Sequence, residues 1–144
     1  MQDILKFSIP GKPEYVQMVR LAIASIAGKA NFDVDAVTDI KDAVAEACKN
    51  VFCHGFEAFS NCYEIICEIK DENMTITVND ACSGHDIVKD VKPCSNCPDE
   101  GNLAVPLMEA LMDEVDIKID KDGNKNIRMV KNKNSGKAIK MVKN

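Results

Sequence analysis

Apolar and polar positions alternate in three stretches of the chain: Leu5–Ile9, Cys62–Ile69 and Met74–Val78. A period of two residues is typical of strands that turn one face to a core. The first stretch ends at Pro10-Gly11, and the other two are separated by the polar turn Lys70-Asp71-Glu72-Asn73. The pattern therefore predicts a short first strand that runs into a turn, and a later β-hairpin.

Two segments between these strands have apolar residues at helical spacing. The first helix is predicted from Pro13 to about Lys29, and its apolar positions are Val16, Val19, Ile23 and Ile26. The second is predicted to end at about Cys53, with either Asp33 or Asp35 as its cap. Its apolar positions are Val37, Ile40, Val44, Ala47 and Val51.

The periodicity is lost from Asp80 to Leu103, where Cys, Ser, Gly, Asn, Pro and Asp dominate. This predicts a long loop, which in a compact domain is usually a lid or a binding loop. A short helix is predicted over Pro106–Glu114, followed by strands Val115–Ile119 and Ile127–Val130. The tail allows one more strand, Ala138–Val142, or a loose end.

The composition fits one globular domain. The chain has 144 residues, 46% hydrophobic and 28% charged, and one core is usual at this length. The longest near-continuous apolar run, Leu21–Ala27, is far shorter than the ~20 residues that cross a bilayer. The seven cysteines are odd in number and scattered, which favours reduced thiols over a disulfide framework. We therefore expect a cytoplasmic protein with no membrane partner.

Charge is unevenly distributed along the chain. The net charge is −5. Acidic residues are concentrated before position 118, and the charged residues from position 118 onward are mostly lysine and arginine. A net acidic chain is a poor general binder of nucleic acid, so no direct nucleic-acid partner is expected. The basic end is interpreted as a solvated face of the late strands, or as a contact for an acidic partner.

Three groups of residues are candidates for chemistry. Glu46, Asn50 and His54 lie four apart on one stripe of the second helix, so one face presents a carboxylate and an amide. Such a stripe is also what the solvated side of any amphipathic helix looks like. Asp80 follows a strand and precedes small residues that let a backbone approach a ligand. The segment 101–106 leads into a helix start, where free amides favour a phosphate.

The order of these groups along the chain resembles the Bergerat, or histidine-kinase-like, ATPase superfamily. Within it, the run Glu46-Ala47-Cys48-Lys49-Asn50, the run 107–115 and the opening Phe7-Ser8-Ile9-Pro10 look like the bacterial anti-sigma-factor serine kinases. The resemblance is collinear from about Phe7 to Lys131, and the Leu-Met-Asp-Glu-Val run is its most specific part.

The resemblance implies an α+β two-layer sandwich, with a mixed, mostly antiparallel sheet and helices packed on one face. It implies a single histidine-kinase-like ATPase domain over residues 1–144, with an ATP-lid loop at 81–103. Residues 132–144 are left as an extra strand or a loose tail.

The resemblance also implies roles for individual residues, with ATP and Mg²⁺ as cofactors. Asn50 would bind Mg²⁺, and Glu46 would orient or deprotonate the attacking serine of a protein substrate. Asp80 would accept a hydrogen bond from the adenine amino group. The remaining nucleotide contacts would be the backbone at Gly84, Gly101 and Ala104, with Lys49 and Lys92 either touching phosphate or simply exposed.

The implied function is that of an anti-sigma regulatory factor. It would bind a sigma factor and use Mg-ATP to phosphorylate a serine on an anti-anti-sigma (STAS-type) antagonist, commonly as a homodimer. Two departures from the family pattern support a rival, a non-catalytic anti-sigma binding module with a degraded nucleotide pocket. Cys82 replaces the first glycine of Asp-x-Gly-x-Gly, and Asn102-Leu103-Ala104 replaces a Gly-x-Gly.

A second rival is a redox or metal sensor built on the lid cysteines. Cys94 and Cys97 have a C-x-x-C spacing and supply two zinc ligands, where a structural site needs four. Cys82 and His85 could complete such a set. The simpler interpretation is two reduced thiols in the lid.

We expect protein purified without chelator to contain substoichiometric zinc, measured by metal analysis, because Cys94 and Cys97 alone do not complete a tetrahedral site. The thermal unfolding temperature should be the same with and without chelator. A full equivalent of tightly held zinc would contradict this and support the sensor.

Overall fold

The computed structural model describes residues 2–52, 59–60, 62–80, 87–88, 97–121 and 124–133, with the backbone alone at 59–60, 87–88 and 97–102. The helices are α1 (Val16–Lys29), α2 (Val34–Phe52) and α3 (Cys97–Leu111), and a 3-10 turn, Pro13–Tyr15, leads into α1. The strands are β1 (Asp3–Pro10), β2 (Phe59–Ser60), β3 (Cys62–Ile69), β4 (Asn73–Asn79), β5 (Ile87–Val88), β6 (Glu114–Ile119) and β7 (Lys125–Asn132). Among the helices of these ranges, none is both long and apolar enough to cross a membrane.

Five strands form one sheet in the order β1-β3-β4-β7-β6, and every neighbouring pair is antiparallel. The hairpin between β3 and β4 closes where the Lys70 amide donates to the Asn73 carbonyl at 2.9 Å. β2 and β5 pair separately as a short two-stranded ribbon. β7 lies between β4 and β6, so the last described strand is an interior strand.

The alternation along each strand decides which face is buried. The inner side of β3 carries Tyr63, Ile65 and Cys67, all fully buried, while positions on the outer side are half-buried. The face of α2 that packs on this sheet carries buried residues at helical spacing: Ile40, Ala43, Val44, Ala47, Cys48 and Val51. Burying each large apolar side chain contributes about 1.5–3 kcal/mol to stability. The predicted α+β two-layer arrangement is confirmed.

The junction between α1 and α2 is fixed by hydrogen bonds at the end of α1 and by a side-chain cap at the start of α2. Asn31 adopts a left-handed φ of 70°, and the amides of Asn31 and Phe32 donate to the carbonyls of Gly28 and Ala27. This is the bonding pattern of a Schellman helix end. Asp33 then caps α2, since its Oδ1 accepts the Ala36 amide at 2.8 Å. Of the two predicted caps, the structure selects Asp33.

The start of α3 corrects one prediction. The sequence predicted a loop up to Leu103 and a helix from Pro106, whereas α3 begins at Cys97 and contains Pro106 in its interior. Pro106 is exposed, so the carbonyl that loses its N–H partner can be satisfied by water, and the helix continues through it. The residues predicted as the last part of the lid are therefore helical. α3 also ends at Leu111 rather than at the predicted Glu114, and residues 87–88 of the predicted loop form β5. The other predicted helices and strands within the described ranges are confirmed, and the tail strand 138–142 lies outside those ranges.

The Leu-Met-Asp-Glu-Val run forms the junction between α3 and β6. Met112 is fully buried. The Asp113 amide donates to the Val130 carbonyl, and its Oδ2 accepts the Asn132 amide at 2.7 Å. The run that carried the most specific resemblance therefore fixes the fold at the end of α3.

Lys131 ties three elements together beneath this junction. Its side chain points to the inner face of β7 and is almost fully buried. Nζ donates to the Leu111 carbonyl at 2.6 Å and pairs with Asp39 Oδ2 of α2 at 3.3 Å. Leu111 is the last residue of α3, so its carbonyl has no partner inside the helix. The ammonium group thus closes the end of α3 and holds it to α2.

We expect Asp39→Asn to lower the free energy of unfolding by about 3 kcal/mol, because the buried ammonium of Lys131 loses its counter-ion. Urea denaturation followed by circular dichroism measures the change. Asp42→Asn on the same helix is the control, since Asp42 pairs with Arg20 near the surface, where such pairs contribute about 0.5 kcal/mol. Equal losses in the two variants would contradict a buried ion pair at Asp39.

Candidate functional site

Glu46 and Asn50 lie on one side of α2, as the sequence predicted. Glu46 and Asn50 are half-buried, whereas Ala47 and Cys48 between them are fully buried in the core. The helix therefore turns a carboxylate and an amide to one partly open side while its apolar side is held fast. His54, the third member of the predicted stripe, lies outside the described residues.

Asp80 lies at the end of β4 and is fully buried. Its amide donates to the Lys125 carbonyl at 2.9 Å, so it continues the β4-β7 ladder by one residue. A fully buried carboxylate at the end of a strand is costly unless partner groups surround it. Asp80 is therefore a candidate for binding a ligand, since a buried carboxylate adds nothing to the charged surface of the protein.

Lys125 brings the two parts of the candidate site together. Its Nζ donates to the Asn50 carbonyl at 3.0 Å, while its own carbonyl accepts the Asp80 amide. Asn50 and Asp80, far apart in sequence, are thus joined through a single residue at the start of β7. The structure places the helix stripe and the strand-end carboxylate at the same end of the domain.

Glu46 has an ion-pair partner one helical turn away. Lys49 Nζ lies 2.8 Å from Glu46 Oε2, with 45% of the Lys49 side chain and 24% of the Glu46 side chain exposed. The pair holds the carboxylate on the open side of α2. Lys49, one of the two lysines considered as phosphate contacts, therefore lies beside the candidate base, while Lys92 lies outside the described residues.

Buried aromatic rings and thiols pack beneath this end of α2. Phe52 and Tyr63 stack with ring centroids 5.5 Å apart, which ties the end of α2 to β3. Burial raises the pKa of the Cys48 thiol to about 12 and that of Cys67 to about 12, and it raises the pKa of Tyr63 as well. With raised pKa values these groups stay neutral and act as packing residues. The two thiols are unreactive, because the thiolate is the reactive form of cysteine.

The cysteines depart in one respect from the sequence prediction. Cys48 and Cys67 are free, as expected, but Cys62 is disulfide-bonded. The prediction of reduced thiols is therefore wrong for Cys62. The spacing of cysteines along a chain does not reveal which sulfur atoms the fold brings within bonding distance.

The glycine-containing segments are only partly described. Gly101 and Ala104 lie inside α3 rather than before it, and Ala104 is buried in the core with 6% exposure. The amide of Ala104 is thus in the body of the helix and not among the free amides of a helix start. Gly84 lies outside the described residues, as do Cys82, His85, Cys94 and the side chain of Cys97 on which the zinc hypothesis depends.

The available donor atoms fit a magnesium nucleotide. Mg²⁺ prefers oxygen ligands and is usually held by one or two side chains together with substrate phosphates. The Asn50 amide oxygen on the half-buried stripe is a ligand of this type, and the Asp80 carboxylate can accept hydrogen bonds from a base. In the parts of the chain that the structure describes, no group of three or more His, Cys, Asp or Glu residues is placed to hold a metal ion.

Sequence reasoning missed Lys125. A lysine at the start of a strand carries no signal by itself, because most lysines lie on the surface. Only the register of β7 against β4 shows that its carbonyl lies opposite Asp80 and that its side chain points toward α2.

Comparison with known proteins gives consistent matches. Residues 9–131 match the family described as the histidine kinase-like ATPase domain. The chain is 36% identical over 128 residues to the serine-protein kinase RsbW of Bacillus licheniformis, a match that covers 82% of this chain and 80% of that protein. Proteins of the same name in Halalkalibacterium halodurans and Bacillus subtilis are 31% and 32% identical, over 82% and 78% of this chain and 77% and 76% of theirs.

If Asn50 holds a metal ion, Asn50→Ala should abolish the Mg²⁺-dependent part of ATP affinity, measured by calorimetry with Mg²⁺ and with chelator. The thermal unfolding temperature should change little, because the side chain is half-buried and faces away from the core. Asn132→Ala, at an exposed asparagine on the far end of β7, is the control. Unchanged Mg²⁺-dependent affinity in Asn50→Ala would remove Asn50 from the site.

Proposed function

Because this chain belongs to the histidine kinase-like ATPase domain family, we propose that it is an ATP-dependent serine kinase that acts on another protein. Its relatives of 31–36% identity, named serine-protein kinases, support the reaction class. The observation that carries the proposal is the placement of Glu46 and Asn50 on one side of α2, with Asp80 joined to Asn50 through Lys125. At one end of the domain, Glu46 would thus supply a proton acceptor, Asn50 an oxygen ligand for a metal ion, and Asp80 a hydrogen-bond acceptor for a nucleobase.

Each residue would have one task. Asn50 would hold Mg²⁺ through its amide oxygen, and Asp80 would accept a hydrogen bond from the adenine amino group. Glu46 would accept, at a carboxylate oxygen, the proton that leaves the hydroxyl of the substrate serine. Bound ATP would supply the phosphoryl group. Mg²⁺ would supply positive charge that offsets the negative charge on the phosphate oxygens. The backbone at Gly84 would add a further nucleotide contact, whereas residues 101–104 lie within α3, where the Ala104 amide is not free to bind a phosphate.

The partners form the finer part of the proposal. We propose that the chain binds a sigma factor, and that the serine it phosphorylates belongs to a STAS-type antagonist that competes for the same chain. The runs at 7–10, 46–50 and 107–115, which resemble the anti-sigma-factor serine kinases, support this assignment. A homodimer is part of the same proposal.

A second candidate is a module that sequesters its partner without transferring phosphate. The methyl group of Ala104 packs in the core, but Cys82 stands where the family pattern has a glycine and adds a Cβ atom there. If this crowds the nucleotide, binding of the partner could persist after catalysis was lost. Measurement of Mg-ATP affinity in the parent protein separates the two candidates.

We expect Glu46→Gln to keep ATP affinity and sigma-factor affinity while phosphotransfer to the antagonist falls by about 10²-fold or more, because the amide cannot accept the serine proton. Single-turnover transfer of labelled phosphate measures the rate. Glu14→Gln, at an exposed glutamate before α1, is the matched control.

Lys49→Met distinguishes loss of basicity from loss of the Glu46–Lys49 ion pair. An equal fall in Lys49→Met and Glu46→Gln would assign the effect to the pair. A parent protein that binds Mg-ATP but never labels a serine on the antagonist would overturn the kinase proposal in favour of the sequestering module.

A further inference from the structure

β7 carries a lysine on its inner face at each end. Lys131 and Lys125 are six residues apart, and both side chains point from the strand toward the helices. Each donates a hydrogen bond to a carbonyl at the end of a helix: Lys131 to Leu111 of α3, and Lys125 to Asn50 of α2. One strand therefore bonds to the last turn of α3 and to the last described turn of α2.

The carbonyl that Lys125 reaches lies near the carboxyl end of α2. The described part of α2 extends to Phe52, so Asn50 lies in its last described turn. A cation at this end also interacts favourably with the negative end of the helix dipole. The ammonium group therefore restrains the backbone of Asn50, whose side chain is the candidate metal ligand.

The backbone of Lys125 restrains the other half of the site. The paired positions of β4 and β7 end at Asn79 and Asn126, and the bond from the Asp80 amide to the Lys125 carbonyl extends the ladder one step further. The position of Asp80 is thus set by the same residue that holds Asn50. Both bonds, at 3.0 Å and 2.9 Å, have ordinary hydrogen-bond lengths.

We propose that Lys125 is a positioning residue of the nucleotide site, fixing the separation between the metal-binding amide of Asn50 and the base-binding carboxylate of Asp80. The inference rests on the proposed nucleotide-dependent function. The side chain of Lys125 bonds to Asn50, and its backbone carbonyl accepts the Asp80 amide. Replacing the side chain should therefore disturb the Mg²⁺-dependent part of ATP binding and leave the position of Asp80 unchanged.

Lys131 provides a matched comparison within the same strand. It makes the same kind of bond to a helix end, is more deeply buried, and lies at the opposite end of β7 from Asp80 and Asn50. Removal of its ammonium group tests the general consequence of losing a lysine cap, together with loss of the ion pair to Asp39. Removal of the Lys125 ammonium group tests that consequence together with any effect on the site.

The experiment measures ATP affinity by calorimetry, with Mg²⁺ and with chelator, together with the thermal unfolding temperature of the full chain. Lys125→Met should weaken Mg-ATP binding by about tenfold or more, as is typical when a group supporting a metal ligand is lost. ATP binding in chelator should change little, and Lys125→Arg should recover most of the loss. Lys131→Met should lower the unfolding temperature with Mg-ATP affinity unchanged.

Coupling to Asn50 provides a second readout. If Lys125 acts through Asn50, Lys125→Met should add little further loss of affinity in an Asn50→Ala background, because both changes remove the same metal-dependent contribution. Lys125→Gln, which loses the charge and is shorter, is the alternative variant if Lys125→Met does not fold.

Several results would overturn the inference. They are a folded Lys125→Met protein with the affinity and Mg²⁺ dependence of the parent, an equal loss of affinity in Lys131→Met, or full additivity with Asn50→Ala. In these cases nucleotide binding by the parent would stand, and so would the proposed function. A parent protein that does not bind Mg-ATP would overturn both.

Discussion

The packing of one face of α2 against the sheet is the constraint on which the rest of the structure depends. Its buried face combines large residues with alanines, and Ala43 and Ala47 have no exposed surface. Small side chains let the helix approach the strands closely, so a change of helix rotation would drive polar residues into the core. The rotation of α2 in turn decides that Glu46 and Asn50 emerge on the partly open side. The position of the candidate site is a consequence of core packing.

β7 complements this packing with directed bonds. Apolar contacts resist sliding weakly, because they have little directional preference, whereas a hydrogen bond from an ammonium group fixes a distance. Lys131 holds the end of α3 to the first third of α2, and Lys125 bonds to the last described turn of α2. A strand in the interior of the sheet is well placed for this task, since β4 and β6 hold its backbone on both sides.

Near the candidate site, one ionisable side chain is buried and neutral while another is partly exposed. Cys48 lies two positions from both Glu46 and Asn50, yet its thiol is buried with a raised pKa and acts as packing. Glu46 remains partly exposed beside Lys49. For the proposed kinase, this combination would let a protein substrate reach the Glu46 carboxylate while buried, neutral side chains pack beneath it. Phosphoryl transfer depends mainly on such positioning and on charge.

The sequence by itself determined the elements whose periodicity is strong: the β3-β4 hairpin, α1, α2 and the late strands, together with Glu46 and Asn50 on one helical stripe. These follow from local rules, because the spacing of apolar residues decides which face of an element is buried. The tertiary structure alone decided that α3 begins at Cys97, since Pro106 is tolerated on an exposed side, and that Asp33 rather than Asp35 caps α2. It also decided the place of Lys125, whose importance depends on two bonds to residues remote in sequence. A single sequence carries no signal for such bonds, because they exist only once the register of β7 against β4 and the rotation of α2 are both set.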